Sequence, residues 1–502
     1  MTFIWGLLAH AYAFFNSNFS HDCLNSMMGG AIEEKWKVEL GRYFVPVYRA
    51  ILRGNITLPW VIGVLGLLWT GFAVCLTIKL FDIKKKVVIV LIAGVMVTNI
   101  TYISQIATYL YEFDFDAFAL LMAVAAVYVW KKWNGPRGII VGSDLIMISI
   151  GIYQAYFAVA LTLVICVCLK ELFDETTIRE IVLNGIKAIA MFLCGGTLYF
   201  ITGKIIYRMM NLVQQSRTDV FDFSEIGNPI KYYVVLLLKT LIDLPKRLLH
   251  AAYPTGIIYS IVIVMICIIS ILLIYTFTHK KMESTRVIII FMLLAALALS
   301  MNSIHFLSRG EAHDLMIYSV WLFYVIVLLY TQWFSEEKSI TLKWRKIPQI
   351  IACILVAIVL WQNIIISNTA YLKKDLEAKS TLATMTRVVA MMEEQEGYVY
   401  GETVIAFVGA NHVYGNIDKF DRVRNITGLR ANNALSSDSV TPRYNTYRSY
   451  LTNVLNYPIN IVVEEKRIEL KENVIVKNMP SFPEKGCMML IDDILVVKMG
   501  DY

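Results

Sequence analysis

The sequence predicts an all-α polytopic membrane protein with about eleven transmembrane helices, followed by a small C-terminal α/β domain. Hydrophobic residues make up 57% of the 502 residues, charged residues make up 17%, and the mean hydropathy is +0.59. Soluble proteins usually contain about 45–50% apolar residues. The apolar runs recur through residue 367 and then stop, which predicts a transmembrane domain at 1–367 and a soluble domain at 368–502.

The first four hydrophobic runs are 2–15, 58–81, 87–104 and 115–130. The first is short for a span, which needs about 17–25 residues. It also lacks the basic start and the cleavage site of a signal peptide, so we interpret it as a short first helix. Lys and Arg cluster beside the runs, where they orient spans. The net charge of +7 therefore does not indicate a nucleic-acid partner.

The apolar region 138–169 decides the topology, because its 32 residues are too many for one upright helix and few for two. If the chain turns near Tyr153-Gln154, five short loops share the cytoplasmic face and hold fifteen Lys and Arg residues. These loops are 82–86, 131–137, 170–180, 279–286 and 335–346. A single helix would move seven of those basic residues outside. The positive-inside rule favours two short helices that meet at Tyr153-Gln154.

Five further spans are predicted at 181–205, 256–277, 287–304, 315–334 and 347–366, which places the soluble domain outside. Large outer loops then lie at 16–57 and 206–254. The stretch 230–249 alternates apolar clusters with basic residues. It is typical of an amphipathic helix in the membrane interface, and an additional tilted span is the alternative.

The soluble domain is predicted as a small α/β unit that caps or gates the membrane site. Strands are expected at 403–408 and 459–463, and a helix at 447–455. Loops are marked by Asn411, Gly415, Gly428 and the pair Asn432-Asn433. The spacing of a nucleophile elbow or a phosphate loop is absent from its sequence.

Ionisable residues from four loops converge on the outer face, where groups near the membrane core are costly and usually functional. They are His21, Asp22, Arg42, Glu112, Asp114, Asp116, His305, Arg309, Glu311, His313 and Asp314.

Three aspartates are the predicted catalytic groups. Asp22 follows the first span closely enough to reach a bound headgroup, and a solvated or helix-capping role is the alternative. Asp114 and Asp116 begin the fourth span, where carboxylates also favour the positive helix end. Residues two apart do not share a helical face, so one of the pair is expected to be catalytic and the other to cap.

Seven residues are predicted to bind substrate. Arg42 could hold phosphate as a planar fork, although an arginine that only snorkels to the interface would have the same sequence. Tyr153 and Gln154 at the helix break could contact sugar hydroxyls or merely join helices. The remaining members are His21, Arg309, Glu311 and His313; for the last three a surface ion pair is the alternative.

Four segments together resemble a known family. They are GRYFVP at 41–46, His21-Asp22, SQIATYL at 104–110 followed by acids and aromatics, and SIGIYQAY at 149–156. In this order they are similar to the glucosyltransferase family of the serotype-converting O-antigen glucosyltransferases, which is glucosyltransferase II-like. The sequence departs from that pattern at Cys23, where a second polar or acidic residue is expected.

The resemblance implies a GT-C-type, multi-pass enzyme of the bacterial cytoplasmic membrane. It would transfer glucose, or a related hexose, from an undecaprenyl-phosphate carrier to a cell-surface polysaccharide, with the active site and the C-terminal domain extracytoplasmic. Its partners would be the lipid-linked donor, the polysaccharide acceptor and the bilayer, with no nucleic acid. The resemblance leaves open a divalent metal cofactor, Mg²⁺ or Mn²⁺.

The chemistry of such a reaction fits the residues. A carboxylate must deprotonate the acceptor hydroxyl, and cations must stabilise the departing phosphate. The expected base is Asp22, with Asp114 or Asp116 orienting the acceptor; Arg42 and Arg309 would bind the phosphate, and in-line attack would invert the anomeric centre. A transporter or flippase of lipid-linked saccharides is the alternative function, and a non-catalytic scaffold is a third.

Overall fold

The computed structural model is mostly helical, with a small sheet near the C-terminus. The structure describes residues 1–16, 19–28, 31–133, 135–215, 229–254, 256–280, 282–337, 343–409, 419–436 and 444–500. The predicted outer loops 16–57 and 206–254 contain residues outside this set, and so do the predicted loop markers Asn411 and Gly415.

Sixteen helices precede residue 337 in the described part of the chain. They are α1 (Thr2–Phe15), α2 (His21–Ser26), α3 (Ala31–Glu39), α4 (Val45–Leu52), α5 (Pro59–Leu80), α6 (Lys86–Thr98), α7 (Ile100–Thr108), α8 (Phe113–Trp133), α9 (Pro136–Ile152), α10 (Phe157–Phe173), α11 (Ile178–Met210), α12 (Pro229–Leu248), α13 (Ile257–His279), α14 (Ser284–Met301), α15 (Ser303–Leu307) and α16 (Leu322–Glu336).

Nine helical segments of the described residues are long and apolar enough to cross a membrane, so the protein is a multi-pass membrane protein. One of them joins α6 and α7, and another begins the long helix that follows α16. Two shorter helices, α1 with 14 residues and α9 with 17, lie where the sequence also predicted spans.

Two helix breaks have local causes. Asn99 ends α6 with extended backbone, and its side-chain oxygen accepts from the backbone N–H of Tyr102 at 3.2 Å, which caps the start of α7. Tyr153 is also extended and ends α9, and a short 3₁₀ turn at Gln154–Tyr156 leads into α10. The predicted break at Tyr153-Gln154 is therefore confirmed, and one continuous helix is excluded.

The five loops that the sequence assigned to one face do gather at one end of the helical bundle. Polar contacts join them to one another: Lys85 with Ser335, Lys131 with Glu171, Lys280 with Glu175 and Glu337, and Arg286 with the carbonyl of Thr176. Because these contacts close only at a common end, the alternating direction of the predicted spans agrees with the fold.

Helix α12 covers most of the predicted stretch 230–249 and is not among the nine long apolar segments. Leu236, Thr240, Leu244 and Leu248 recur every fourth residue and form its buried stripe. Exposed apolar side chains such as Ile242 share the opposite surface with exposed lysines. This pattern is consistent with the predicted amphipathic helix.

A single long helix, α17 (Ile347–Glu393), links the two parts of the chain. Its 47 residues extend about 70 Å at 1.5 Å per residue. It continues without a break past residue 367, where the sequence placed the end of the transmembrane domain. The remaining elements are α18 (Tyr444–Asn453), α19 (Glu464–Glu472), α20 (Val474–Asn478), β1 (Val404–Val408), β2 (Asn460–Ile461), β3 (Met488–Ile491) and β4 (Ile494–Lys498).

The strands form one sheet in the order β2-β1-β4-β3, in which β1 is parallel to β2 and β4, and β3 is antiparallel to β4. Alternate residues of a strand face opposite sides. Ile405 and Phe407 pack with α17 and α18, whereas Ala406 and Val408 pack with α19 and α20. Helices therefore cover both faces, as the predicted α/β unit requires.

The sequence interpretation missed the hairpin of β3 and β4. Its turn consists of Asp492 and Asp493, both with positive φ, which is the backbone of a two-residue hairpin turn. Two apolar runs on either side of an Asp-Asp pair could have predicted it.

A buried charge cluster in α17 should control the stability of this helix and its contacts. Glu377 accepts from both Lys373 and Lys374, and all three side chains are buried. Glu377→Gln would leave two buried cations without a counter-charge, so we expect a loss of about 3–5 kcal/mol in the free energy of unfolding. The melting temperature of the detergent-solubilised protein measures this loss.

The matched control breaks an exposed pair on the same helix. Lys379 is 70% exposed and pairs with Asp375. Lys379→Gln should cost at most about 1 kcal/mol. Equal melting temperatures for both variants would contradict the structural role of Glu377.

Candidate functional site

The first outer loop brings two cations onto one acid that precedes α8. Lys37 donates to Glu112 Oε1, and Arg42 Nη1 donates to Glu112 Oε2 at 3.0 Å. Burial lowers the pKa of Lys37, although the Glu112 carboxylate opposes that shift. At Arg42 burial also favours the neutral form, but the carboxylates of Glu112 and Asp116 outweigh it and raise the pKa. Both basic side chains are therefore fixed by a carboxylate.

Two further ion pairs tie the same loop to its surroundings. Arg53 holds both oxygens of Asp114, with Nε 2.7 Å from Oδ2 and Nη2 3.3 Å from Oδ1, and both side chains are buried. Arg49 makes a two-bonded pair with Glu33 at 2.8 and 3.0 Å. Asp114 thus has a complete structural partner.

The loop before α4 packs against the helix break after α9. The backbone N–H of Phe44 donates to the carbonyl of Gly151 at 3.0 Å, a group that the broken helix leaves available. Gln154 Nε2 donates to the carbonyl of Leu40 at 2.9 Å. The predicted substrate-binding residue Gln154 therefore holds the backbone of the loop.

Gly41 allows the loop to pack closely against this helix break. Its φ is +79°, and a Cβ there would lie 2.3 Å from the hydroxyl of Tyr199 and 2.9 Å from Gln154 Nε2. The close turn places the next residue, Arg42, over Tyr153, with the guanidinium carbon 4.5 Å from the ring centroid. The structure thus brings together Arg42, Tyr153 and Gln154, three of the residues for which the sequence analysis expected a role in substrate binding.

Asp116 differs from its neighbours because no cation holds it directly in the described structure. Gln105 Nε2 donates to its Oδ2 at 2.9 Å, and Oδ1 has no hydrogen-bond partner. The same is true of several buried polar atoms close by: Gln105 Oε1, Thr108 Oγ1, and the hydroxyls of Tyr153 and Tyr156. An unsatisfied buried polar group costs about 1–3 kcal/mol, so such a group of atoms is suited to bind water or a polar ligand.

Asp22 lies at the boundary between the helical bundle and the C-terminal domain. It is in the first turn of α2, its side chain is 25% exposed, and its Oδ2 is 3.1 Å from His21 Nε2. Cys23 Sγ donates to the carbonyl of Thr108 at 3.3 Å. This contact fixes α2 against Thr108, which is one turn along α7 from Gln105. Because Gln105 binds Asp116, both Asp22 and Asp116 lie at the same end of α7.

The C-terminal domain covers the other side of α2. Ser449 donates to Asn25 at 2.7 Å, Asn453 donates to the carbonyl of Leu24 at 3.0 Å, and Leu24 is buried in the core of that domain. The C-terminal domain therefore contacts the helix that carries Asp22.

A second polar cluster surrounds Asp314, next to the predicted residues of that loop. His250 Nε2 is 3.2 Å from Asp314 Oδ1, and Arg247 Nη1 is 3.6 Å away. The backbone N–H and hydroxyl of Thr427 donate to Asp314 Oδ2 at 2.8 and 3.0 Å. Burial alone would raise the pKa of Asp314, but His250, Thr427 and Arg247 together hold it at about 2.

The two clusters meet through α7. Gln105 Nε2, which binds Asp116, also lies 3.4 Å from the carbonyl of Leu315. Thr101 donates to the carbonyl of Asp314 at 2.6 Å. Because Gln105 and Thr101 are one turn apart on the same helix, α7 fixes the distance between Asp116 and Asp314.

The predicted residues of the loop 309–313 have different environments from Asp314. Glu311 and His313 are exposed, and Arg309 adopts a left-handed backbone with φ of 54° in the turn after α15. The buried acid of this loop is Asp314, for which the sequence analysis assigned no role.

An open pocket of about 540 Å³ lies beside Thr427. Among the described residues, its lining consists of Asp421, Arg424, Asn425, Ile426, Thr427 and Arg430. None of the predicted catalytic or binding residues lines it, and Thr427 connects it to Asp314.

A metal centre does not emerge from the described side chains. No group of three or more His, Cys, Asp or Glu residues among them is arranged to hold a metal ion. No step below is routed through a metal ion.

Several site residues were missed from the sequence for different reasons. Gln105 could have been found as a buried amide in an apolar helix. Lys37 has no distinguishing local pattern, because it lies among the mixed charges of α3. Thr427 also has no local signal, since its role depends on the chain returning to the bundle more than one hundred residues after Asp314.

Comparison with known proteins gives one match. The family described as Glucosyl transferase GtrII matches residues 11–331, more than half of the chain. The match includes Glu112, Asp116 and Asp314 but ends before α17, the C-terminal domain and Thr427. It confirms the resemblance inferred from the sequence. No curated protein and no solved structure shows significant similarity to the chain.

The different environments of Asp114 and Asp116 predict opposite effects on stability. Asp114→Asn leaves the buried Arg53 unpaired and should cost about 3–5 kcal/mol in the free energy of unfolding. Asp116→Asn removes a buried carboxylate without a direct cation and keeps an oxygen that can accept from Gln105. It should therefore leave stability unchanged or increase it.

Melting temperatures of the two purified variants test this difference, and each variant serves as the control for the other. The substitutions are chemically identical and two residues apart. Equal destabilisation would contradict the assignment of Asp114 as the structural acid.

The lowered pKa of Asp314 predicts a loss of stability in acid. A carboxyl whose pKa falls from 3.8 to about 2 on folding stabilises the folded protein above pH 4. This contribution, roughly 2 kcal/mol, is lost as the pH falls from 4 to 2. Asp314→Asn should remove that part of the pH dependence of the melting temperature. The same acid-induced loss in both proteins would show that Asp314 is not responsible.

Proposed function

The chain belongs to the Glucosyl transferase GtrII family and is a glucosyltransferase, and we propose that its donor is undecaprenyl-phosphate-linked glucose or a related hexose. The acceptor in this proposal is a cell-surface polysaccharide outside the bacterial cytoplasmic membrane. The group of buried polar atoms without partners around Asp116 is the observation that carries the proposal.

These atoms suit a sugar better than an apolar ligand. Asp116 Oδ1 and Gln105 Oε1 can accept from hydroxyl groups, and the hydroxyls of Tyr153 and Tyr156 can donate or accept. The two tyrosine rings, with centroids 5.8 Å apart, provide apolar surface beside them. A hexose presents both hydroxyls and C–H faces, so it can satisfy this set.

A lipid-phosphate sugar also explains why no nucleotide site is required. The phosphate is already attached to the anomeric carbon as the leaving group. In this proposal Arg42, whose guanidinium lies over the Tyr153 ring, stabilises the charge that develops on that phosphate. Arg309, predicted from the sequence, would assist from the turn after α15.

Asp22 is the proposed general base, and Asp116 the proposed orienting acid. Asp22 is the more accessible of the two, and its contact with His21 fixes its position in the first turn of α2. It can take the proton of an acceptor hydroxyl that enters between α2 and the bundle. Asp114 is assigned to the ion pair with Arg53. Attack opposite to the leaving phosphate would invert the anomeric centre.

The proposed membrane side follows from charge. The site lies at the end of the bundle opposite the five loops that join Lys85, Lys131 and Lys280 to their partners. The positive-inside rule assigns those loops to the cytoplasm, which leaves the site and the C-terminal domain outside.

Transfer of radiolabelled glucose from polyprenyl-phosphate-glucose, measured in detergent, tests the proposal. Loss of a general base typically costs about 100- to 10,000-fold in turnover. We therefore expect Asp22→Asn to lower turnover by at least about 100-fold while the melting temperature is retained. A flippase, the alternative function, would transfer no label even as the wild-type protein.

Asp82→Asn is the matched control, because this aspartate is 74% exposed just after α5 at the opposite end of the bundle. It should behave as wild type. Near wild-type turnover of Asp22→Asn would remove Asp22 from the mechanism.

A further inference from the structure

The pocket beside Thr427 belongs to a basic segment that we name the arginine loop, residues 419–436. The loop contains four basic residues and one acid, which are Lys419, Arg422, Arg424, Arg430 and Asp421. Two of the arginines and the acid line the pocket, together with Asn425, Ile426 and Thr427. Its volume of about 540 Å³ is within the range of small-molecule sites, but its lining is mainly polar and positively charged.

Apolar anchors hold the arginine loop against the helical bundle. Val423, Ile426 and Leu429 recur every third residue and are buried in the main core of the bundle. Between them, Thr427 binds Asp314. The arginine side chains that line the pocket are consequently carried by a fixed backbone.

The position of the pocket is set by Gly428. Its φ is +89°, and a Cβ at this position would lie 2.3 Å from Thr108 Oγ1, so only glycine permits this approach. Ser104 also donates to the carbonyl of Thr427 at 2.9 Å. The pocket is therefore fixed over the end of α7, the helix that carries Gln105, whose side chain donates to Asp116.

The charged side chains in and near the pocket indicate the class of ligand that it binds. Four basic residues that hold the loop between α1 and α5, Lys37, Arg42, Arg49 and Arg53, already form ion pairs with Glu33, Glu112 and Asp114. A phosphate diester that bound there would compete with these carboxylates. The described part of the pocket lining has two arginines and one aspartate, so two guanidinium groups line the pocket beside the cluster.

We infer that the pocket of the arginine loop is a phosphate-binding site, in which Arg424 and Arg430 bind a phosphate group of a substrate next to the sugar site. Arg424 Nε donates to the carbonyl of Arg430 at 3.2 Å, which joins the two sides of the pocket. The phosphate is that of the lipid-linked donor or one carried by the acceptor polymer. That assignment to a substrate rests on the proposed function, whereas phosphate binding itself does not.

Binding of inorganic phosphate to the full-length protein in detergent, followed by calorimetry at low ionic strength, is the first test. A charge-assisted hydrogen bond contributes enough that Arg430→Gln should weaken binding about tenfold. Asp421→Asn removes the opposing charge and should tighten binding by about threefold.

Arg422→Gln is the matched control. Arg422 is exposed on the same loop and does not line the pocket, and its loss changes the net charge by the same amount. Phosphate affinity of this variant should stay within about twofold of the wild type. Equal weakening by Arg422→Gln and Arg430→Gln, or no effect of either, would overturn the inference, because binding would then be non-specific or elsewhere.

Inhibition of glucose transfer by inorganic phosphate identifies the source of the phosphate. Competition with polyprenyl-phosphate-glucose, together with a raised KM for that donor in Arg430→Gln, assigns the pocket to the donor. Competition with the acceptor and a raised acceptor KM assign it to the acceptor. Inhibition against neither substrate would overturn a role in the reaction.

Failure of the proposed function would be recognised separately. If the wild-type protein transfers no glucose but shows the expected order of phosphate affinities among the three variants, the phosphate site stands and the donor assignment fails.

Discussion

The constraint on which the end of the bundle around Glu112 depends is that a charge buried in a low dielectric needs a partner. Glu112 meets this constraint for both Lys37 and Arg42, and the three groups join the first outer loop to the start of α8. The pairs Arg53 with Asp114 and Arg49 with Glu33 extend the same network. A polar loop of mixed charge can therefore lie buried against a membrane domain.

The exception to this pairing gives the site its character. Asp116 receives a neutral amide hydrogen bond from Gln105 and has one oxygen without a partner. In our proposal this oxygen accepts a hydrogen bond from the sugar, which would satisfy it. Asp114 and Asp116 lie on one helical turn but differ in environment, because, among the described residues, only Asp114 forms an ion pair with a cation, Arg53.

The C-terminal domain also contributes contacts to this end of the bundle. The helix α17 runs from the bundle into that domain, where it packs against one face of the sheet. The arginine loop then returns to the bundle, and its Thr427 satisfies Asp314. In our proposal this return brings Arg424 and Arg430 near the site, where they add to the positive charge that Arg42 offers to the phosphate. The enzyme family match ends before α17, so this addition lies outside the matched segment.

The sequence by itself determined the features that depend on local composition. Hydropathy gave the apolar helices, the distribution of Lys and Arg gave the common end of five loops, and a helix break was correctly predicted at Tyr153-Gln154. The order of weak motifs was sufficient to identify the family. The sequence also indicated Arg42 and Tyr153 as candidate binding residues, and the structure places the Arg42 guanidinium over the Tyr153 ring.

Only the tertiary structure decided which polar residues are partners. The difference between Asp114 and Asp116 depends on Arg53, which is about sixty residues away in the chain. The roles of Lys37, Gln105 and Thr427 likewise arise from contacts between distant segments. Burial and pairing are properties of such contacts, and local hydropathy and spacing do not encode them.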